Sequence, residues 1–178
     1  MKVEEKLTTL GLELPSLEDL YHTNASGAHY ISHFPVQNLL YLSGTTPRKN
    51  GQGYLAGAVG KDLTLEQGRE AARYAAITTL AAVKYALGDL DRVQQVVHML
   101  GFVNSAPGFN DQPRVINGAA DLFVELYGAR GKPTRAARGA VSVAAPQVGG
   151  LTRQEPSATR RRLRPSSRDA RGRTCDTT

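Results

Sequence analysis

The stretch from Thr64 to Gly88 constrains the fold more than any other part of the chain. Thr64-Leu65-Glu66-Gln67 has the Ser/Thr-x-x-Glu/Gln form of a capping box, and Glu66 and Glu70 sit near the positive end of the helix that would follow. Ala76, Leu80, Val83 and Leu87 then step by four, three and four, which draws one apolar stripe, and Gly88-Asp89 supplies a stop. The spacing predicts a helix over residues 65–87. A helix that long with a single apolar side needs a second layer to bury it.

The flanking sequence supplies that layer. Val93 to Val103 is Val-rich and ends at the breaker Asn104-Ser105-Ala106-Pro107-Gly108, so it reads as a buried central strand. Asp111 or Gln112 can cap a second helix with Pro113 in its first turn. Ile116, Ala120, Phe123 and Tyr127 repeat the stripe, and Gly128 ends it. After Arg130-Gly131-Lys132-Pro133, the run Ala140-Val141-Ser142-Val143-Ala144 reads as a strand. Upstream, residues 28–34 and 38–44 form a predicted hairpin about Pro35-Val36-Gln37. Arg48-Lys49-Asn50-Gly51 is a turn, and Tyr54-Leu55-Ala56 a short returning strand. Leu7, Leu10 and Leu14, before Pro15, suggest a short amphipathic N-terminal helix. The order ββ(β)αβαβ, without internal repeat, is that of an α+β fold with two helices on one face of a sheet.

At 178 residues and 40% hydrophobic content, one globular core is expected. The net charge of +6 is unevenly spread: residues 1–150 hold 14 Lys/Arg against 13 Asp/Glu, and residues 151–178 hold 8 against 3. A body at +1 has no broad field for a phosphate backbone, so nucleic acid is expected to bind only weakly, through the tail. Arg160-Arg161-Arg162, Arg164, Arg168, Arg171 and Arg173 mark that tail as disordered by composition. The expected organisation is a helical extension over 1–22, an α+β domain over 23–150 and the tail over 151–178. No apolar run approaches the roughly 20 residues of a spanning helix, so the reading is a cytoplasmic protein without membrane contact. A lone cysteine, Cys175, excludes an internal disulfide. His22, His29, His33 and His98 lack metal-ligand spacing, so no metal is expected.

Spacing alone names no reaction. There is no phosphate-cradling Gly-rich loop and no nucleophile elbow. The strongest local suggestion is Pro133-Thr134-Arg135, because a guanidinium fork at a strand end holds a carboxylate by two hydrogen bonds.

A longer pattern carries more. Asn38-Leu39-Leu40-Tyr41-Leu42-Ser43-Gly44, the capped helix ending Ala86-Leu87-Gly88-Asp89-Leu90-Asp91-Arg92-Val93, and Gly101-Phe102-Val103-Asn104-Ser105 followed by Val115-Ile116-Asn117-Gly118 resemble the Rid family. These are the YjgF-type reactive-intermediate imine deaminases, also called endoribonuclease L-PSP-like proteins. The match runs in unbroken order over about residues 5–145 and is nearest the branch with an added N-terminal helix.

The resemblance implies a chorismate-mutase-like fold, a homotrimer with clefts between subunits, and cofactor-free hydrolysis of 2-imino acids to 2-keto acids and ammonia. By position, Tyr30 falls where a cleft tyrosine lies, Ser43 and Gly44 at the Ser-Gly strand end, and Asn117 at the helix asparagine. Arg135 fits the family's Pro-x-Arg carboxylate clamp, while Ala137-Arg138-Gly139-Ala140-Val141 resembles the branch's Ala-Arg-Ser-Ala-Val, which keeps Arg138 as a rival. Downstream the chain departs from the family. Pro146-Gln147-Val148-Gly149-Gly150 leads into the Arg-rich tail, where members continue into a last strand bearing a water-handling Glu. That departure leaves two alternatives to the hydrolase: a non-catalytic trimer that binds small carboxylates, and an RNA-binding, translation-inhibitor-type member.

Overall fold

The computed structural model describes residues 2–16 and 29–140, all within one compact unit, Met1–Ala144. His22, Cys175, the tail over 151–178 and nearly all of the strand expected at Ala140–Ala144 lie outside the described residues.

The long helix, α2 (Leu65–Leu87), has the predicted bounds. Both halves of its capping box form: Gln67 N–H donates to Thr64 Oγ1 at 3.2 Å, and Thr64 N–H to Gln67 Oε1 at 2.8 Å. Gly88, at φ +76°, returns its N–H to the Lys84 carbonyl and stops the helix. The second helix, α3 (Gln112–Tyr127), follows Asp111, with Pro113 in its first turn and Gly128 beyond its end. The two helices cross tightly because Gly118 lies against the Arg69 carbonyl, where no Cβ would fit. Leu80 of α2, Leu122 and Leu126 of α3, and Leu90 in a short 3-10 turn are fully buried between and beside them. Arg69–Asp121 at 3.0 Å and Arg73–Glu125 at 2.8 Å span the pair at its surface.

Among the described residues the strands form three two-stranded pairs on these helices. An antiparallel hairpin, β1 (His33–Val36) and β2 (Leu39–Leu42), turns on Gln37 at φ +52°. The turn is tighter than the sequence suggested. Pro35 lies within β1, opposite Leu40, where an edge strand tolerates its missing N–H. The hairpin docks on α2 through His33, edge-on to Tyr85 at 5.8 Å, and through Thr45, whose hydroxyl lies 2.7 Å from that of Thr79. A second small hairpin pairs β3 (Arg48–Lys49) with β4 (Gln52–Gly53) around Asn50-Gly51, both left-handed. The returning strand therefore precedes the expected Tyr54–Ala56, and the positive φ of Leu55 breaks extension there.

The third pair is parallel: β5 (His98–Asn104) with β6 (Thr134–Ala140). Along β5, Met99, Gly101 and Val103 face α3, while His98, Leu100, Phe102 and Asn104 are exposed. The expectation of a buried central strand is thus met on one face only. On the other, Leu100 and Phe102 are 51% and 64% exposed.

The N-terminal helix, α1 (Lys2–Thr9), buries Val3 and Leu7. It ends earlier than the leucine spacing suggested. Gly11 at φ +65° lets Leu12 N–H reach the Leu7 carbonyl and Gly11 N–H the Thr8 carbonyl, a Schellman stop. Leu10 and Leu14 consequently lie beyond the helix. Among the described residues, no helix is long and apolar enough to cross a membrane.

Candidate functional site

The register of the parallel ladder sets the geometry of the site. Met99 pairs with Arg135 and Phe102 with Arg138, and in-register residues of a parallel pair point to the same face. Arg135 therefore belongs to the side that faces α3, where its Nη1 donates to Asn117 Oδ1 at 2.5 Å. Arg138, three positions on, belongs to the opposite face beside exposed Phe102. The structure thus joins two of the sequence-selected residues, Arg135 and Asn117, and separates the two candidate clamps by the thickness of the sheet.

The remaining candidates lie on the other hairpin. Ser43 follows β2; its N–H donates to the Ser32 carbonyl at 2.9 Å and its hydroxyl to the Ile31 carbonyl at 2.5 Å. With its proton so used, Oγ retains lone pairs and can only accept from a ligand. Ser43 borders a shallow groove with Ile31, His33, Phe34, Tyr41 and Leu42. Gly44 is exposed, with open space where a Cβ would stand. Tyr30 is 54% exposed just before β1. Phe34 and Tyr41, an in-register pair, are also exposed. These residues lie on the hairpin that docks on α2, whereas the arginines lie on β6, the strand packed on α3 with only Arg135 on the side facing it.

Residue-by-residue reading of the sequence passed over the neighbours of Arg138. On the outer face of the ladder, His98, Leu100 and Phe102 stand opposite Thr134, Ala136 and Arg138. The signal was present as a period-two alternation in His98-Met99-Leu100-Gly101-Phe102, but it names a face only once the partner strand is known.

Three carboxylates, Glu4, Asp89 and Asp91, lie within 4.8 Å of one another at the base of α1. Each already serves the fold. Glu4 Oε1 accepts from Lys84 Nζ at 2.7 Å and from Leu90 N–H. Asp89 accepts from Asp91 N–H, and Asp91 accepts the Lys2 and Val3 amides at the start of α1.

Residues 4–144 match the family described as "YjgF/chorismate mutase-like, putative endoribonuclease". The chain is 38% identical over 143 residues to Protein TCP17 of Trypanosoma cruzi, a match covering 80% of this chain and 84% of that protein. Its fold is similar to that of Atu1372 of Agrobacterium tumefaciens, a crystal structure titled as of unknown function. There the TM-score is 0.71 and the identity 36%, over 81% of this chain and 86% of that one. It is also similar to a crystal structure titled "putative endoribonuclease" from Shewanella oneidensis, with TM-score 0.72 and 29% identity over 79% and 89% of the two chains. On the order of its elements and a match that spans nearly all of them, the chain belongs to the YjgF/chorismate mutase-like family.

Proposed function

We propose that this protein hydrolyses reactive 2-imino acids to 2-oxo acids and ammonia, with Arg138 as the carboxylate clamp. One observation supports that choice of arginine: the β5–β6 register puts Arg138 on the uncovered face beside Phe102, while the Arg135 guanidinium is held by Asn117. A planar guanidinium offers two parallel donors to a carboxylate, and the apolar ring beside it lowers the local dielectric and strengthens the pair. Arg135 then acts as a brace between β6 and α3. The C=N carbon is already electrophilic, so the protein's main task is to hold it in line with a water. Ser43 Oγ, an acceptor, suits an imine N–H.

The proposed assembly is a homotrimer. The exposed Phe34, Tyr41, Leu100 and Phe102 form apolar sheet surfaces that copies of the chain can cover, bringing the Ser43 and Tyr30 region of one subunit to the Arg138 face of another. An endoribonuclease, as in the family description, would need a basic track for phosphates, and residues 1–150 carry 14 Lys/Arg against 13 Asp/Glu.

The deciding assay generates 2-iminopropanoate in situ with an amino-acid oxidase and follows 2-oxo acid release against the uncatalysed rate, with the mass measured by light scattering. Faster release by a species of three subunits supports the proposal. Binding of 2-oxobutanoate without any turnover instead makes the protein a non-catalytic carboxylate binder.

A further inference from the structure

His98 and Thr134 are the first in-register pair on the outer face of the β5–β6 ladder. Thr134 Oγ1 donates to the Val97 carbonyl at 2.9 Å and lies 3.0 Å from His98 Nδ1. A hydroxyl has a single proton. Since the carbonyl can only accept it, Oγ1 must accept from the ring. His98 Nδ1 therefore carries the ring proton, and Nε2 of the neutral imidazole presents a lone pair. The Val97 carbonyl also accepts the Thr134 N–H at 3.1 Å, which holds the Thr134 backbone in place beside it. Among the described residues no hydrogen bond engages Nε2, and His98 is exposed.

This oriented base shares its face with Arg138. Between the two pairs, His98–Thr134 and Phe102–Arg138, stand only Leu100 and Ala136. Ala136, opposite Leu100, puts only a methyl group between Thr134 and Arg138 on β6. Four residue steps of extended chain separate His98 from Phe102, about 13 Å between the backbone positions. A short ligand with its carboxylate hydrogen-bonded at one end and a water hydrogen-bonded at the other, each contact about 3 Å, bridges side chains rooted that far apart.

The geometry points to His98 as the general base of the proposed hydrolysis, held in its working tautomer by Thr134. Nε2 takes a proton from water as the water oxygen bonds to C2 of the iminium and the C=N pair moves to nitrogen. The imidazolium returns that proton to the amine. The ring then takes the hydroxyl proton as the C–N bond breaks and the C=O bond forms, and it passes that proton to the departing ammonia, which leaves the imidazole neutral again. One water and one iminium acid become one 2-oxo acid and one ammonium, with no change of oxidation state. This assignment rests on the reading of the chain as an imino acid hydrolase.

The test compares wild type with His98→Ala, Thr134→Val and Thr134→Ser. Each is assayed for 2-iminopropanoate turnover, 2-oxobutanoate affinity by calorimetry, and melting temperature. General-base removal is expected to lower kcat about 100-fold or more in His98→Ala. Affinity for 2-oxobutanoate should stay within about twofold, and free imidazole added to the assay should restore part of the rate. Thr134→Val should lose rate by a smaller factor, and Thr134→Ser should keep most of it. Turnover in His98→Ala near the wild-type value overturns the assignment while the hydrolase reading stands. So does a loss of rate that imidazole does not restore. Wild type with no turnover overturns both.

Discussion

Gly101 of β5 lies so close to Ile116 of α3 that a Cβ at position 101 would fall inside the isoleucine side chain. The strand is thereby drawn onto the helix, and this contact decides which face of β5 is left over. Gly101→Ala should destabilise the protein by about 1–3 kcal/mol, the usual cost of overpacking a filled core. Gly53→Ala, at a position with open space around it, is the control and should change little. Chemical denaturation of both variants checks the difference.

Glu4 gives the N-terminal helix a pH-dependent anchor. Burial pushes its carboxyl pKa upward, but hydrogen bonds from Lys84 and the Leu90 amide outweigh that and hold it below the usual carboxylate value. A depressed folded-state pKa means stability that is present above the unfolded value and lost as pH falls through the folded one. Glu4→Gln should therefore cost about 1 kcal/mol at pH 7, a modest figure because both partners remain partly exposed. The gap between variant and wild type should close as acid protonates Glu4. Melting curves at neutral pH and at pH below about 4 test the sign.

The helices were legible in the sequence and the faces of the last strand were not, for physical reasons. Thr64, Gln67 and Gly88 fix the ends of α2 through bonds between residues close in sequence, so local chemistry suffices. The same holds for Pro113 and Gly128 at α3. The segment Thr134-Arg135-Ala136-Ala137-Arg138-Gly139 lacks the β-branched run that marks a strand. Extension there comes from pairing with β5, some 36 residues earlier. With the strand expected at 140–144, Arg135 and Arg138 belong to the approach to it and have no partner strand, so their odd spacing assigns no face. Within β6 that spacing sends them to opposite faces. Family resemblance named both arginines, and only the long-range register distinguishes them.

Removing residues 151–178 should leave the melting temperature nearly unchanged, because the segment is rich in Arg, Ser and Thr and has few apolar residues to bury. It takes the net charge from +6 to +1, since eight basic and three acidic residues leave. Any salt-sensitive retention on a polyanion should disappear with it. Heparin chromatography of the full chain and the truncated one, each at two salt concentrations, measures this. A truncated chain retained as strongly as the full one would place polyanion binding in the body.

The proposed clamp makes the sharpest prediction. Arg138→Lys keeps the charge but loses the planar fork, so it should weaken 2-imino acid turnover by roughly ten- to a hundredfold, the equivalent of a charged hydrogen bond of about 1.5–3 kcal/mol. Its melting temperature should hold, because the side chain is exposed on the face away from α3. Arg135→Lys should do the reverse: a smaller effect on rate, and a loss of stability on the order of 1 kcal/mol as the bond to Asn117 weakens. Asn117→Ala should reproduce that stability loss, and combining it with Arg135→Lys should add little, since both remove one contact. If Arg135→Lys abolishes turnover and Arg138→Lys leaves it intact, the carboxylate lies on the α3 side of β6, and Asn117 belongs to the ligand site.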